Sequence, residues 1–211
     1  MLFIIIIITC VFSIKGFKNS TFFNKYKFQI QSIKNGDKYR MWSSAFLHAD
    51  YSHLFFNLFT LWVFSGAILM QLGEFYYLII YLLSLYFGNF FTLKQHKNEV
   101  FYSAVGASGA VTGIVYSSIL LFPEMKLALL FFPIPLPSYV FGLCYILYSI
   151  YGMKKNSGNI GHSAHLGGAI AGMIITILIK PSILIQHTWL VLLLITPFII
   201  LYYDKKNSLF R

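Results

Sequence analysis

A serine framed by glycines, Gly106-Ala107-Ser108-Gly109, opens one long apolar segment, and a histidine in Ala164-His165-Leu166-Gly167-Gly168 opens another. Serine is a weak nucleophile until a base takes its proton, and histidine is the side chain best matched to that task near neutral pH. The chemistry this pairing suggests is acyl-transfer hydrolysis, with His165 taking the Ser108 proton and later passing it to a leaving amine. The tetrahedral intermediate of such a reaction needs hydrogen-bond donors for its oxyanion. Asn57 offers a side-chain N–H, and His53 lies one helical turn before it on the same face. The Ser108 backbone N–H, at a helix N-terminus, adds a third donor in a favourable dipole.

The frame that must position these groups is apolar. Of 211 residues, 58% are hydrophobic and 10% charged, too little charge to cover the surface of a soluble domain. The 22 Phe and 15 Tyr suit lipid-facing surfaces and interface belts, so a multi-span membrane protein is expected. The net charge of +10 sits in loops between apolar segments, which favours contact with lipid head groups over nucleic acid. Cys10 and Cys144 have neither metal-type nor disulfide-framework spacing and read as small core residues. His162 and His165 lack a third ligand cluster, so no metal is expected.

Seven apolar segments are marked: Leu2–Ile14, His53–Leu72, Phe75–Leu93, Phe101–Phe122, Ser138–Met153, Gly161–Ile179 and Ile183–Tyr203. A spanning helix needs about 20 apolar residues. The first segment is short; without a basic leader or a small-residue cleavage site it reads as a retained anchor. Before the fifth, Pro133, Pro135 and Pro137 rule out helix and predict an irregular interfacial stretch followed by a short helix. The connection Lys15–Ser52 alternates aromatic and basic residues, as a structured loop lying in the interface would. No internal repeat and no soluble second domain is visible, so residues 1–211 read as one membrane domain.

Counting spans places the start of the second, fourth and sixth segments on the same side, the side of the Lys15–Ser52 loop. His53, Asn57, Ser108 and His165 all fall there at shallow depth. Gly109-x-x-x-Gly113 and Gly168-x-x-x-Gly172 give the fourth and sixth segments small-residue faces that allow close backbone approach. Every Asp and Glu lies in a loop or at a segment end, which predicts a Ser-His dyad rather than a triad. The same absence excludes an aspartyl intramembrane protease and weighs against an ion-coupled transporter. The lack of His-Glu-x-x-His weighs against a zinc protease.

Together, His48-Ala-Asp-Tyr-Ser-His53-Leu-Phe-Phe-Asn57, Gly106-Ala-Ser108-Gly109 and Ala164-His165-Leu-Gly-Gly168-Ala-Ile-Ala-Gly172 resemble the rhomboid family of intramembrane serine proteases. The resemblance covers roughly residues 39–172. It implies an all-α membrane protein, a rhomboid-like polytopic helix bundle of about seven transmembrane helices. A family-like core of about 39–180 would be followed by an added C-terminal helix at about 183–203. It further implies a serine endopeptidase that cleaves single-span transmembrane proteins in or near the bilayer, with Ser108 and His165 as the catalytic dyad and Asn57, His53 and Ser108 as oxyanion donors. Gly106, Gly109, Gly168, Gly172, Arg40 and His48 take supporting roles, His48 by ordering the first loop. Substrates and lipids are the implied partners, with no cofactor and no nucleic acid, and the fifth helix and first loop control substrate access. The oligomeric state is left open. The other reading is a catalytically inactive relative that binds or escorts membrane helices.

Three positions depart from the family pattern. Tyr39-Arg40 stands where many relatives have Trp-Arg. Leu69, four residues before Gly73, stands where many have Glu. Thr112 stands where some place a tyrosine that stacks on the base, so the orientation of His165 must come from elsewhere. His162 reads as an interfacial or loop-bonding residue, and His96 and His187 as interface residues. Of the 16 Lys and Arg residues, all but Lys126 and Lys180 fall on the side of the active residues. Charge bias therefore puts that side in the cytoplasm, whereas the resemblance implies a site opening away from it. The Ile-, Lys-, Asn- and Phe-heavy composition points to an AT-rich bacterial genome and so to a bacterial cytoplasmic membrane.

Overall fold

A computed structural model describes residues 1–129, 132–155 and 161–208. The chain starts with α1 (Leu2–Lys18), a turn longer than the apolar run because Lys15 and Lys18 sit well at a helix C-terminus. Asn19 ends it and caps α2 (Ser20–Tyr26) by accepting the Phe22 N–H at 2.8 Å.

The rest of the first connection is folded, as its patterning predicts. It comprises β1 (Phe28–Gln29), α3 (Ile30–Lys34), α4 (Arg40–Ser43) and a 3-10 turn (Ser44–Phe46). Phe28, Ile30, Ile33 and Met41 form a small core of their own, packed against Tyr86, Phe90 and Leu93. Arg40 is buried and staples this loop. Its Nε donates to Asp37 at 3.0 Å, and Nη1 donates to the Asn24 and Lys27 carbonyls at 2.8 and 3.0 Å. A guanidinium can be buried there because these acceptors satisfy it.

The second and third apolar segments form one long element, α5 (Tyr51–Gln95), broken at Gly73. Gly73 has φ 80°, a conformation that glycine adopts without the Cβ penalty, and there the chain turns back on itself. Each arm, 51–72 and 74–95, is long enough for a bilayer at 1.5 Å per residue. The fourth segment is shorter than its apolar run. Residues 101–107 are not helical; β2 (Ser103–Ala104) pairs antiparallel with β1, Phe28 facing Ala104, and α6 (Ser108–Leu121) starts at the serine. Gly106, with φ 127°, supplies the break.

The proline-rich stretch is an antiparallel ribbon of β3 (Lys126–Leu129) and β4 (Phe132–Pro137), followed by α7 (Ser138–Lys155). The bundle is completed by α8 (His162–Ile179), α9 (Ile183–Gln186) and α10 (Thr188–Ser208). The last apolar segment is thus divided near His187. Among the described residues the two short ribbons are the only strands.

Among the described residues, seven apolar helical stretches therefore answer the seven segments. By length and apolarity, α5 and α8 qualify outright as membrane-crossing helices, whereas α6 and residues 188–204 of α10 are apolar but shorter. The shortness of α6 follows from its place: every residue from Gly109 to Leu121 is buried by other helices, so it presents little to lipid. A Cβ at Gly168 would meet the Gly109 backbone, and one at Gly172 would meet the Gly113 backbone. The expected glycine faces of α6 and α8 thus meet directly. A third surface joins them from α5: a Cβ at Gly88 would lie 2.8 Å from the Ala164 carbonyl, and one at Gly113 would meet Ser84. Ser84-x-x-x-Gly88 has the same small-residue spacing, a signal present in the sequence but not used above.

Outside this centre, α7 packs between α8 and α10. Tyr116 of α6 donates to the Gly142 carbonyl of α7 at 2.6 Å. Tyr139 meets Trp189 edge-on at 5.1 Å, and Lys154 pairs with Asp204 near the opposite end. Cys144 is exposed on α7 and Cys10 half-buried on α1, so neither is the core residue expected, because each lies toward the outside of its helix.

Candidate active site

Ser108, His165, His53 and Asn57 line one cavity of about 900 Å³, together with Ser103, Ala104 and Val105 ahead of the serine and Phe141, Tyr145 and Tyr148 of α7. Residues more than a hundred positions apart in sequence thus face the same space.

Ser108 is the first residue of α6, and no side chain caps that helix. Its first-turn N–H groups have no partner within the helix, which makes this end an acceptor site for negative charge. The approach to it is fixed from three directions. Gly106 N–H donates to the Ser44 carbonyl at 3.0 Å. Ala107 N–H donates to His48 Nε2 at 3.3 Å. A Cβ at Gly106 would lie 2.8 Å from the His53 imidazole, so that ring rests directly on the glycine.

His48 is wholly buried and its hydrogen bonds define its tautomer. Nε2 accepts from Ala107, so Nδ1 carries the proton and donates to Ser13 Oγ at 2.9 Å; Ser13 in turn donates to the Phe46 carbonyl at 2.9 Å. One imidazole therefore ties α1, the first loop and the turn before Ser108 together. Burial, reinforced by nearby His53 and opposed by Asp50, pushes the His48 pKa down to about 3.

Asp50 caps α5 by accepting the His53 N–H at 2.7 Å. His53 meets His48 edge-on at 4.9 Å. Asn57 Nδ2 donates to the His53 carbonyl at 2.9 Å, which confirms the one-turn register. An amide nitrogen carries two N–H bonds, so one is left for a ligand in the cavity.

His165 sits in the first turn of α8, its N–H donating to the Gly161 carbonyl at 3.1 Å. Its ring is buried and lies against Tyr145, with centroids 5.6 Å apart and planes 28° from parallel. The Tyr145 hydroxyl is 2.9 Å from His165 Nδ1. The partner missing at Thr112 thus comes from α7. Sequence reading passed over Tyr145 because it lies in an aromatic stretch far from every motif. His162 is buried, edge-on to Tyr148 at 5.3 Å, with its ring filling the space over Gly152. It is a packing group between α8 and α7, because the absent side chain of Gly152 leaves a slot for it. His96 stacks on Tyr102 at 3.8 Å and pairs with Glu99 at 3.0 Å.

Among the described residues, no group of three or more His, Cys, Asp or Glu is arranged to hold a metal ion. The carboxylate nearest the chemistry is Asp50, at the cavity wall and committed to capping α5.

Residues 35–182 match the Rhomboid domain family. The chain is 31% identical over 173 residues to RHOMBOID-like protein 12, mitochondrial, of Arabidopsis thaliana, covering 75% of this chain and 51% of that protein. It is 31% identical over 134 residues to Rhomboid protein 1, mitochondrial, of Saccharomyces cerevisiae, covering 62% and 39%. It is 29% identical over 157 residues to "Putative rhomboid protease YdcA" of Bacillus subtilis, covering 69% of each. The chain thus spans about half the length, or less, of the mitochondrial relatives it matches.

Proposed function

The chain belongs to the rhomboid family, and on that premise we propose that it is an intramembrane serine endopeptidase that cleaves single-span transmembrane proteins in or near the bilayer. The observation that carries this reading is the shared cavity, which brings a serine at an uncapped helix N-terminus and a buried histidine together with Asn57 and His53. Ser108 attacks the scissile carbonyl as His165 takes its proton. The oxyanion is received by Asn57, His53 and the Ser108 backbone N–H. His165 then protonates the leaving amine, and a water repeats the sequence to release the acyl-enzyme. Arg40 and His48 support this by holding the first loop, and Gly106, Gly109, Gly168 and Gly172 by allowing the close approaches around the site.

The reading predicts that purified protein in liposomes cleaves a model single-span substrate and is labelled by a fluorophosphonate. Ser108→Ala removes both, and Asn57→Ala lowers kcat by about 10²–10³-fold, the usual cost of one oxyanion donor. Cleavage that survives Ser108→Ala would falsify it. Substrate binding with neither cleavage nor labelling would identify an inactive escort instead. We place the protein in a bacterial cytoplasmic membrane, a reading supported by the composition and by the even coverage of the Bacillus relative.

A further inference from the structure

We infer that Tyr145 of α7 is the positioning residue for the base: it fixes the tautomer and the plane of His165, and so makes the base dependent on the docking of α7. This rests on the catalytic reading of Ser108 and His165 given above.

The direction of the hydrogen bond follows from the role proposed for the base. Thr112 Oγ1 donates to the Ser108 carbonyl at 2.6 Å, which spends its only proton. Thr112 is thereby committed to its own helix, and the Tyr145 hydroxyl is the side chain that meets His165 Nδ1. A base that acts through Nε2 needs its proton on Nδ1, so on the catalytic reading the Tyr145 hydroxyl oxygen, 2.9 Å away, accepts from His165 Nδ1. Nδ1 therefore carries the imidazole proton and Nε2 is unprotonated, the state a general base requires. The ring stack at 5.6 Å fixes the imidazole plane in addition.

Within this arrangement the hydrogen bond and the near-parallel stack on the base are made from outside its own helix, which adds only the edge-on His162 ring at 6.1 Å. The contacts come from α7, which also lines the cavity through Phe141 and Tyr148. The same face of α7 receives His162 over Gly152. When α7 moves outward from α8, the His165 hydrogen bond and the stack are lost together. When α7 docks, both are restored, so the base is correctly set only once the cavity wall has closed.

The test uses purified full-length wild type, Tyr145→Phe and Tyr145→Leu in detergent micelles, with 15N-histidine spectra and kcat and KM on the model transmembrane substrate. The His165 signal is identified by its loss in His165→Asn. Wild type is expected to show His165 as the Nδ1–H tautomer. In Tyr145→Phe, which keeps the ring, that tautomer should give way to a mixture, and kcat should fall on the order of 10- to 100-fold with KM within about twofold. Tyr145→Leu should fall further. An Nε2–H tautomer in wild type overturns the inference. So does a Tyr145→Phe protein with an unchanged spectrum and kcat, or a loss confined to KM, which would make Tyr145 a substrate contact. The spectra need no turnover, so a wild type inert to substrate would refute the protease reading while the tautomer still decides the role of Tyr145.

Discussion

Two histidines in this protein are hydrogen-bonded through Nδ1 to a hydroxyl, and they are held for different work. His165 has Nδ1 against the Tyr145 hydroxyl, which on the proposed reading leaves Nε2 for the serine proton, whereas His48 has both nitrogens spent on structure, one on Ala107 N–H and the other on Ser13. A second proton on His48 would sit on Nε2, facing the Ala107 N–H donor against donor. This leads to a prediction about pH. The folded-state pKa is depressed to about 3, while the unfolded chain takes up its proton near 6.5. The contribution of His48 is therefore complete above pH 6.5 and is lost as the pH falls toward 3. The loss amounts to as much as about 5 kcal/mol, at about 1.36 kcal/mol per pH unit. Thermal unfolding in detergent between pH 7 and 4 should show wild type losing stability with acid, and His48→Gln should lose less over the same range. Equal slopes would mean that His48 is not held neutral by the fold.

At the scale of elements, the site depends on three helices touching without side chains between them. Gly88 of α5, Gly109 and Gly113 of α6, and Gly168 and Gly172 of α8 lie at their crossings. A methyl group at Gly168 meets the Gly109 backbone, which cannot rotate away as a side chain can. Gly168→Ala should therefore separate α6 from α8 and cost about 1–3 kcal/mol or more, the usual range for overpacking. Because Ser108 and His165 start those two helices, activity should fall more steeply than stability. By contrast, a Cβ at Gly66, on the first arm of α5, meets nothing within 4 Å, so Gly66→Ala is the matched control and should leave both unchanged. Parallel unfolding and cleavage assays on the pair decide this; equal effects from the two substitutions would remove the crossing from the account.

For the whole molecule, the outstanding quantity is direction. By the span count, all Lys and Arg residues except Lys126 and Lys180 fall on the side of the site, and basic loops are retained in the cytoplasm. The folded first loop offers a physical escape from that rule: it is a compact unit with its own core, and Arg40 is engaged inside it. We expect the site to open away from the cytoplasm. A topology reporter fused after Arg211, on the same side as the site by the span count, should then report a non-cytoplasmic location; a cytoplasmic signal would reverse the orientation. α10 lies along α7 through Tyr139–Trp189 and the Lys154–Asp204 pair. The ion pair is exposed and worth little, so apolar packing carries most of that contact.

Sequence alone determined the class and the number of apolar stretches and pointed to a dyad, because hydropathy and the absence of interior carboxylates are properties of composition and order. It also placed Ser108, His165, His53 and Asn57 on one side, since span counting needs no coordinates. It set the α6–α8 contact too, because glycine spacing is a local pattern with a single geometric consequence. The start of α6 at Ser108, the pairing of β1 with β2 and the double-ended hydrogen bonding of His48 were decided by tertiary structure. Each joins residues separated by dozens of positions, with no periodic signal to announce the pairing. Tyr145 is the clearest instance. One tyrosine among many in an aromatic helix becomes the partner of the base only because α7 docks beside α8, and no local propensity records which face of a helix will find which neighbour.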